Sequence, residues 1–170
     1  MACSVTLNGL SNPSCFSSKG GIVKVWIGVH GGFQPTVSGD VITSGTVTGF
    51  KPYEFRKNTG SMTSTLNVDA ANGVNYVSTE LALVFSKMEV VKRVEMAALA
   101  VGDLEMVVKD SNGVYYFLGY DQPVNATAGT GETGVASTDG NRYTINFTDE
   151  SDTWPYMLDA SVAAQLEAIE

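Results

Sequence analysis

The chain has 170 residues, 44 % of them hydrophobic, which is one domain's length with enough apolar material for a single core. Its net charge of −8 is uneven: residues 1–100 carry eight Lys/Arg against six Asp/Glu, net +2, and residues 101–170 carry two against twelve, net −10. Such an acidic chain is a poor nucleic-acid binder, because binding is driven by cations displacing phosphate counterions; no apolar run approaches the roughly 18 residues that span a bilayer, and the start, Met1 to Ser4, lacks the charged-then-apolar order of a secretory signal, so a cytosolic origin is expected.

Short alternating runs of β-branched and aromatic residues, punctuated by Gly and Asn, indicate a mainly β domain of antiparallel hairpins. The first strand is expected over 22–29, with Val23, Val25, Ile27 and Val29 on one face and Lys24 and Trp26 on the other. Residues 30–49, broken by Pro35 and repeated Gly, read as a long loop with room only for short strands near Val41 and Val47.

The hairpin of 61–85 turns at Asn72-Gly73, the type I′ dipeptide. Taking these two as the loop pairs Asp69 with Tyr76, Asn67 with Ser78 and Thr65 with Glu80, and on the other face Val68 with Val77, Leu66 with Thr79 and Met62 with Leu83. One face is then polar, with Thr63, Thr65, Asn67, Asp69, Ser78 and Glu80, and the other mostly apolar, so one side meets a core and the other water.

A helix is expected next. Ser86 and Glu89 have capping-box spacing, Val90, Val91, Val94, Ala97, Ala98 and Val101 form the stripe expected to pack on the sheet, Lys92, Arg93 and Met96 lie opposite, and Gly102 ends it. On that reading Val94→Asp unfolds the protein and Lys92→Asp does little. A second hairpin, 104–110 and 114–120, turns at Asn112-Gly113. Residues 121–141 shift to Gly, Thr, Ala and Asn without periodicity and read as a second long loop, expected, like 30–49, to order on contact with neighbouring subunits. A strand over 142–148 places Tyr143, Ile145 and Phe147 on one face. Asp159 or Ser161 then caps a short C-terminal helix whose stripe, Val162, Leu166 and Ile169, must dock on its own domain or on a neighbour.

Reactive groups are few. Cys3, Cys15 and His30 cannot by themselves complete a four-ligand zinc site, and the two cysteines pair only after release into an oxidising medium. Gly129, Gly131 and Gly134 satisfy G-x-G-x-x-G, but neither the preceding strand nor the following helix of a dinucleotide site surrounds them. His30, between a strand end and Gly31-Gly32, reads as a solvated turn residue rather than a general base. None of the eighteen carboxylates stands out against an apolar setting, and the Asp149 to Asp152 run reads as a solvated acidic loop before a weak Ca²⁺ site. No catalytic residue, metal or cofactor is expected.

The order of several motifs then resembles a known family. These are Gly60-Ser61 through Glu80-Leu81-Ala82-Leu83, the helix start KMEVVKR at Lys87 to Arg93, Val107 to Gly113, YYFLGY at Tyr115 to Tyr120, Thr127 to Gly134, and YTINFT at Tyr143 to Thr148, with an early Cys pair before Gly20-Gly21-Ile22. Each is unspecific alone. Their succession, over most of the chain, is similar to the tube-forming and related virion structural proteins of tailed phages and prophages.

The resemblance implies a tail-tube-like β-sandwich or small barrel with one packing α-helix and a short C-terminal helix. It also implies self-assembly into stacked hexameric rings whose joined sheets line a channel, in contact with other virion structural proteins and with DNA that passes without specific binding. The subunit would be assembled in the bacterial host cytoplasm and reside in the virion, with no membrane and no cofactor. The polar hairpin face is then a candidate lumen wall, or else a plain solvent-facing exterior; Val162, Leu166, Ile169, Thr127 and Gly131 are candidate intersubunit contacts. A capsid decoration protein, a head-to-tail connector, or a non-viral β domain binding a ligand or glycan would share these features.

Overall fold

The computed structural model describes residues 9–10 and 18–169, so the expectation for Cys3 and Cys15 lies outside the described residues. In chain order the elements are β1 Ile22–Val29, β2 Thr36–Ser38, β3 Val41–Ser44, β4 Lys51–Tyr53, β5 Ser61–Asp69, β6 Val74–Ser86, α1 Val90–Val101, β7 Leu104–Asp110, β8 Tyr115–Leu118, β9 Asn125–Glu132, β10 Arg142–Ser151, β11 Tyr156–Leu158 and α2 Ala160–Glu167. A seven-stranded sheet runs β2-β3-β11-β8-β7-β1-β4 and a four-stranded sheet runs β5-β6-β10-β9. The fold is the expected one, a mainly β sandwich with a packing helix and a short C-terminal helix.

The large sheet is apolar on both faces because it is covered on both. Toward the small sheet it sends Val25, Ile27, Met106, Val108 and Leu118 against Leu81, Leu83, Phe85, Ile145 and Phe147. From its other face Trp26, Val107 and Phe117 meet Phe33, Ile42, Val47 and Phe50 with Val162 and Leu166 of α2. A register irregularity between Ile22 and Lys24 brings Ile22 into the first core and leaves Val23 exposed.

Residues 30–49 are therefore not a plain loop. They supply β2, β3 and a 3-10 turn at Val47–Gly49, and bury Phe33, Ile42 and Val47 in the second core. Their start is fixed by Glu105, whose buried carboxylate accepts the Phe33 amide at 2.6 Å and the Gly31 amide at 3.1 Å. Gly119 makes room for it, since a Cβ there would lie 3.1 Å from the Glu105 Cα. Residues 121–141 contain β9, a strand whose core-facing positions are Ala126, Gly129 and Gly131, so that periodicity cannot reveal it; it is held by its ladder with β10.

The long hairpin keeps its predicted faces but slides by two residues. Asp69 pairs with Val74, Asn67 with Tyr76, Thr65 with Ser78, Thr63 with Glu80 and Met62 with Leu81. The reason is Asp69, whose carboxylate accepts the amides of Ala71 (3.0 Å) and Asn72 (3.2 Å) and the Asn72 side-chain amide (2.6 Å). These bonds enclose 70–73 in a wider turn, with Gly73 at φ +69°, instead of a two-residue type I′ loop. A slip of two leaves every side chain on its original face.

α1 is inverted relative to expectation. Its buried side is Leu99 with partly buried Met96 and Lys92, while Val90, Val91, Val94 and Val101 are 73, 77, 56 and 87 % exposed. Both stripes have helical spacing, and periodicity cannot say which of two is inward. Lys92 decides it: its Nζ bonds the Ser86 carbonyl at 2.5 Å, at the end of β6. The capping box does not form, because Ser86 belongs to β6 and Glu89, the N-cap residue, makes no side-chain cap bond and pairs instead with Lys87 at 2.6 Å. Val94→Asp is thus expected to change stability by no more than about 0.5 kcal/mol, whereas Leu99→Asp buries an unpaired carboxylate and costs several-fold more. Urea unfolding of the two variants checks this; equal effects would place the helix the other way round.

The intersubunit expectation for the C-terminal helix is also corrected. Val162 and Leu166 are fully buried, Ile169 packs partly buried beside them, and the Asp159 carboxylate caps the helix by accepting the Ser161 amide at 3.1 Å. The helix docks within its own chain because Val162 and Leu166 complete the second core beside Ile42, Val47 and Phe50.

Candidate functional site

The outward face of the four-stranded sheet gathers the candidate lumen residues. Rows of cross-strand partners put Thr63, Glu80 and Thr148 side by side, then Thr65, Ser78 and Glu150, then Ser61, Ala82, Asn146 and Ala128, then Val84, Thr144 and Thr130. Thr63, Thr65 and Glu80 are exposed, and Asn67 and Ser78 half-buried. Asp69 is different: the Asn72 side-chain bond holds its carboxyl below the usual range, so it serves the turn at the tip rather than the wall. Thr144, Asn146, Thr148 and Glu150 were not named from the sequence, although the burial of Ile145 and Phe147 implies by alternation that they face outward.

This face is acidic and lightly built. It holds Glu80, Glu150 and Glu132, its only cation among the described residues is Arg142, and Arg142 is ion-paired to Glu132. Its remaining groups are chiefly hydroxyls and amides of short side chains.

Both edges of this sheet are open. β5 and β9 have no second strand partner among the described residues. From Ser61 to Val68 and from Asn125 to Gly131 neither contains Pro or a charged residue, the devices that keep edges from pairing. The large sheet, by contrast, ends in β2 and β4, each of three residues, with Pro52 in β4. Thr127 and Gly131, expected at subunit contacts, both lie on the exposed β9 edge, where Thr127 is the extra residue of a bulge opposite Asn146.

Inside, two carboxylates do stand in an apolar setting. Glu105 and Asp149 are each 2 % exposed. Burial raises both above the usual carboxylate range, Asp149 to about 6, although Asp149 accepts the Gly119 amide at 3.1 Å. His30, far from being a solvated turn residue, is half-buried, and its Nδ1 has no hydrogen-bond partner among the described residues. Asp149 belongs to β10, so the run at 149–152 is not a loop.

The G-x-G-x-x-G glycines lie on and just beyond exposed β9. Among the described residues no group of three or more His, Cys, Asp and Glu is placed to hold a metal ion, and no helix is long and apolar enough to cross a membrane. The chain matches no protein-family model, no curated protein and no solved structure.

Proposed function

We propose that the chain is a virion structural subunit that joins its four-stranded sheet edge to edge with copies of itself, forming stacked rings and a phage tail tube through which DNA passes. The observation that carries this reading is the pair of long edges without Pro or charge, β9 bulged only at Thr127, flanking a small-residue acidic face. Within the sheet each strand is antiparallel to the next, so β5 and β9 run in opposite directions. Joining β9 of one copy to β5 of the next continues the antiparallel alternation. The contact uses different surfaces on the two copies, which closes into a ring or continues as a filament.

The two edges are also staggered: β5 aligns with Val74–Ala82 of β6, whereas β9, through β10, aligns with Glu80–Ser86. Bringing such edges into full register tilts the strands, as closure into a barrel requires. A lumen of hydroxyls, amides and carboxylates repels phosphates instead of gripping them. No cofactor and no catalytic step enters this reading.

Electron microscopy of the purified chain tests it: rings or tubes are expected, and a monomer at every concentration overturns it. In particles carrying Thr65→Lys, Asn67→Lys and Ser78→Lys together, assembly is expected to survive and DNA release to slow, the delay shrinking as salt screens the attraction. Release at the wild-type rate in low salt would place this face outside the channel.

A further inference from the structure

Between α1 and the core-facing side of β9 runs an open groove of about 420 Å³. It is lined by Met96 and Ala100 of α1, Ala126 and Gly129 of β9, and Tyr143 and Ile145 of β10. It is open because β9 carries almost no side-chain bulk on that face. Gly131 is glycine for a steric reason, since a Cβ there would lie 2.9 Å from the Tyr143 ring, but a Cβ at Gly129 meets only the Thr144 carbonyl at an ordinary 3.6 Å. The groove lies directly beside a free strand edge.

The same chain presents a matching ridge. On β5, Leu66 and Val68 point to the core side of the sheet, as their opposite residue Val77 does for Leu66, yet they are 48 and 65 % exposed. They lie toward the hairpin tip, where β10 stops at Ser151 opposite Val77 and Asn67 to Tyr76 pair only with each other. Among the described residues nothing of their own subunit buries them.

We propose that the groove between α1 and β9 receives Leu66 and Val68 of a second copy, whose β5 pairs with β9 as an added antiparallel strand. The proposal rests on the edge-joined assembly above and adds what holds the joint on its dry side. Strand parity lets the two features meet, because Leu66 and Val68 share a sheet face with Gly129, and a register that sets Leu66 beside Gly129 keeps wall residues on the wall and places both side chains over the groove. Charge does not oppose the same partner. Arg56 and Lys57 precede β5 and form no ion pair among the described residues, while β9 ends in Glu132, which Arg142 of its own chain pairs. Antiparallel pairing brings the basic approach to β5 beside that carboxylate, and places no like charges opposite one another along the strands.

The test uses full-length chains with Cys3 and Cys15 changed to Ser, one population carrying Leu66→Cys and another, mass-labelled, carrying Gly129→Cys or Ala126→Cys. Within one chain β5 and β9 are separated by two strands, about 14 Å at usual spacing, so a disulfide between these positions reports contact between copies. Mixed populations are expected to give a crosslinked pair of unlike mass, and Thr65→Cys, on the other face, to give none. Gly129→Leu, which fills the groove, should raise the concentration at half assembly about tenfold or more with an unchanged melting temperature. Rings that form without the crosslink, and equally well with Gly129→Leu, overturn the docking and leave the tube reading standing. A crosslink in open chains that never close supports the docking and overturns the ring; a wild-type chain that never self-associates overturns both.

Discussion

Replacing Leu166 with Ala is expected to cost about 3–4 kcal/mol, and ending the chain after Leu158 to abolish the folded state. α2 has only eight residues, too few to be stable alone, so its helicity derives from what it covers. Val162 and Leu166 fill the second core against Trp26, Ile42, Phe50 and Phe117, and Glu167 fixes the far end by accepting from Lys109 Nζ at 2.6 Å and the Tyr115 hydroxyl at 2.7 Å. Removing the helix uncovers those aromatic rings and Ile42 of β3, which is then tied to the sheet by its ladder with β11 at the new chain end. Since a domain has a net stability of about 5–15 kcal/mol, losing two fully buried side chains and the helix that closes one side of the second core consumes it. Urea unfolding measures the first effect and circular dichroism the second; a truncated chain with the wild-type melting temperature would show that α2 is a partner surface after all.

The elements that sequence reading recovered are those in which chemistry is local. Alternation identified β1, β5, β6 and β10, the Asn112-Gly113 turn and aromatic propensity identified β7 and β8, and Asp159 or Ser161 marked the start of the last helix. What failed failed for identifiable reasons. Asn72-Gly73 was overridden by a single carboxylate three residues earlier, and the same Asp-centred turn recurs where Asp110 accepts the amides of Asn112 and Val114, both at 2.8 Å. α1 offers two stripes of equal spacing, and only the position of Ser86 at the end of β6 selects the one with Lys92. β9 lacks β-branched residues on its inward positions, and that same lack of bulk makes its groove. The polar wall was half legible: its β5 and β6 residues follow from alternation, but that β10 and β9 extend it depends on strand order, which no local pattern encodes. Glu105 was hidden by its place in an apolar run, Leu104 to Val108, where a both-sides-buried strand leaves a charged residue no outward face.

That last class of residue carries the second large effect. Asp149→Asn is expected to stabilise the protein at pH 7.5 by on the order of 2–3 kcal/mol and to leave it nearly unchanged near pH 4. Burial is the main cause of the raised Asp149 pKa, about 6 against 3.8, opposed by the Gly119 amide and augmented by the charges of Asp121 and Glu150, with His30 opposing them. A carboxyl whose folded pKa lies above its unfolded value favours folding while protonated, and that benefit is lost as pH rises from about 4 through about 6. At neutral pH the native state therefore holds a charge it would rather not hold, whereas Asn keeps an oxygen for the Gly119 amide without the charge. Melting temperatures of both proteins across pH 4–7.5 should diverge by roughly 2–4 °C per kcal/mol in a domain of this size, with the gap opening between about pH 4 and pH 6 and levelling off above that. A constant gap, or a variant less stable at pH 7.5, would mean that the charge of Asp149 is matched inside the fold.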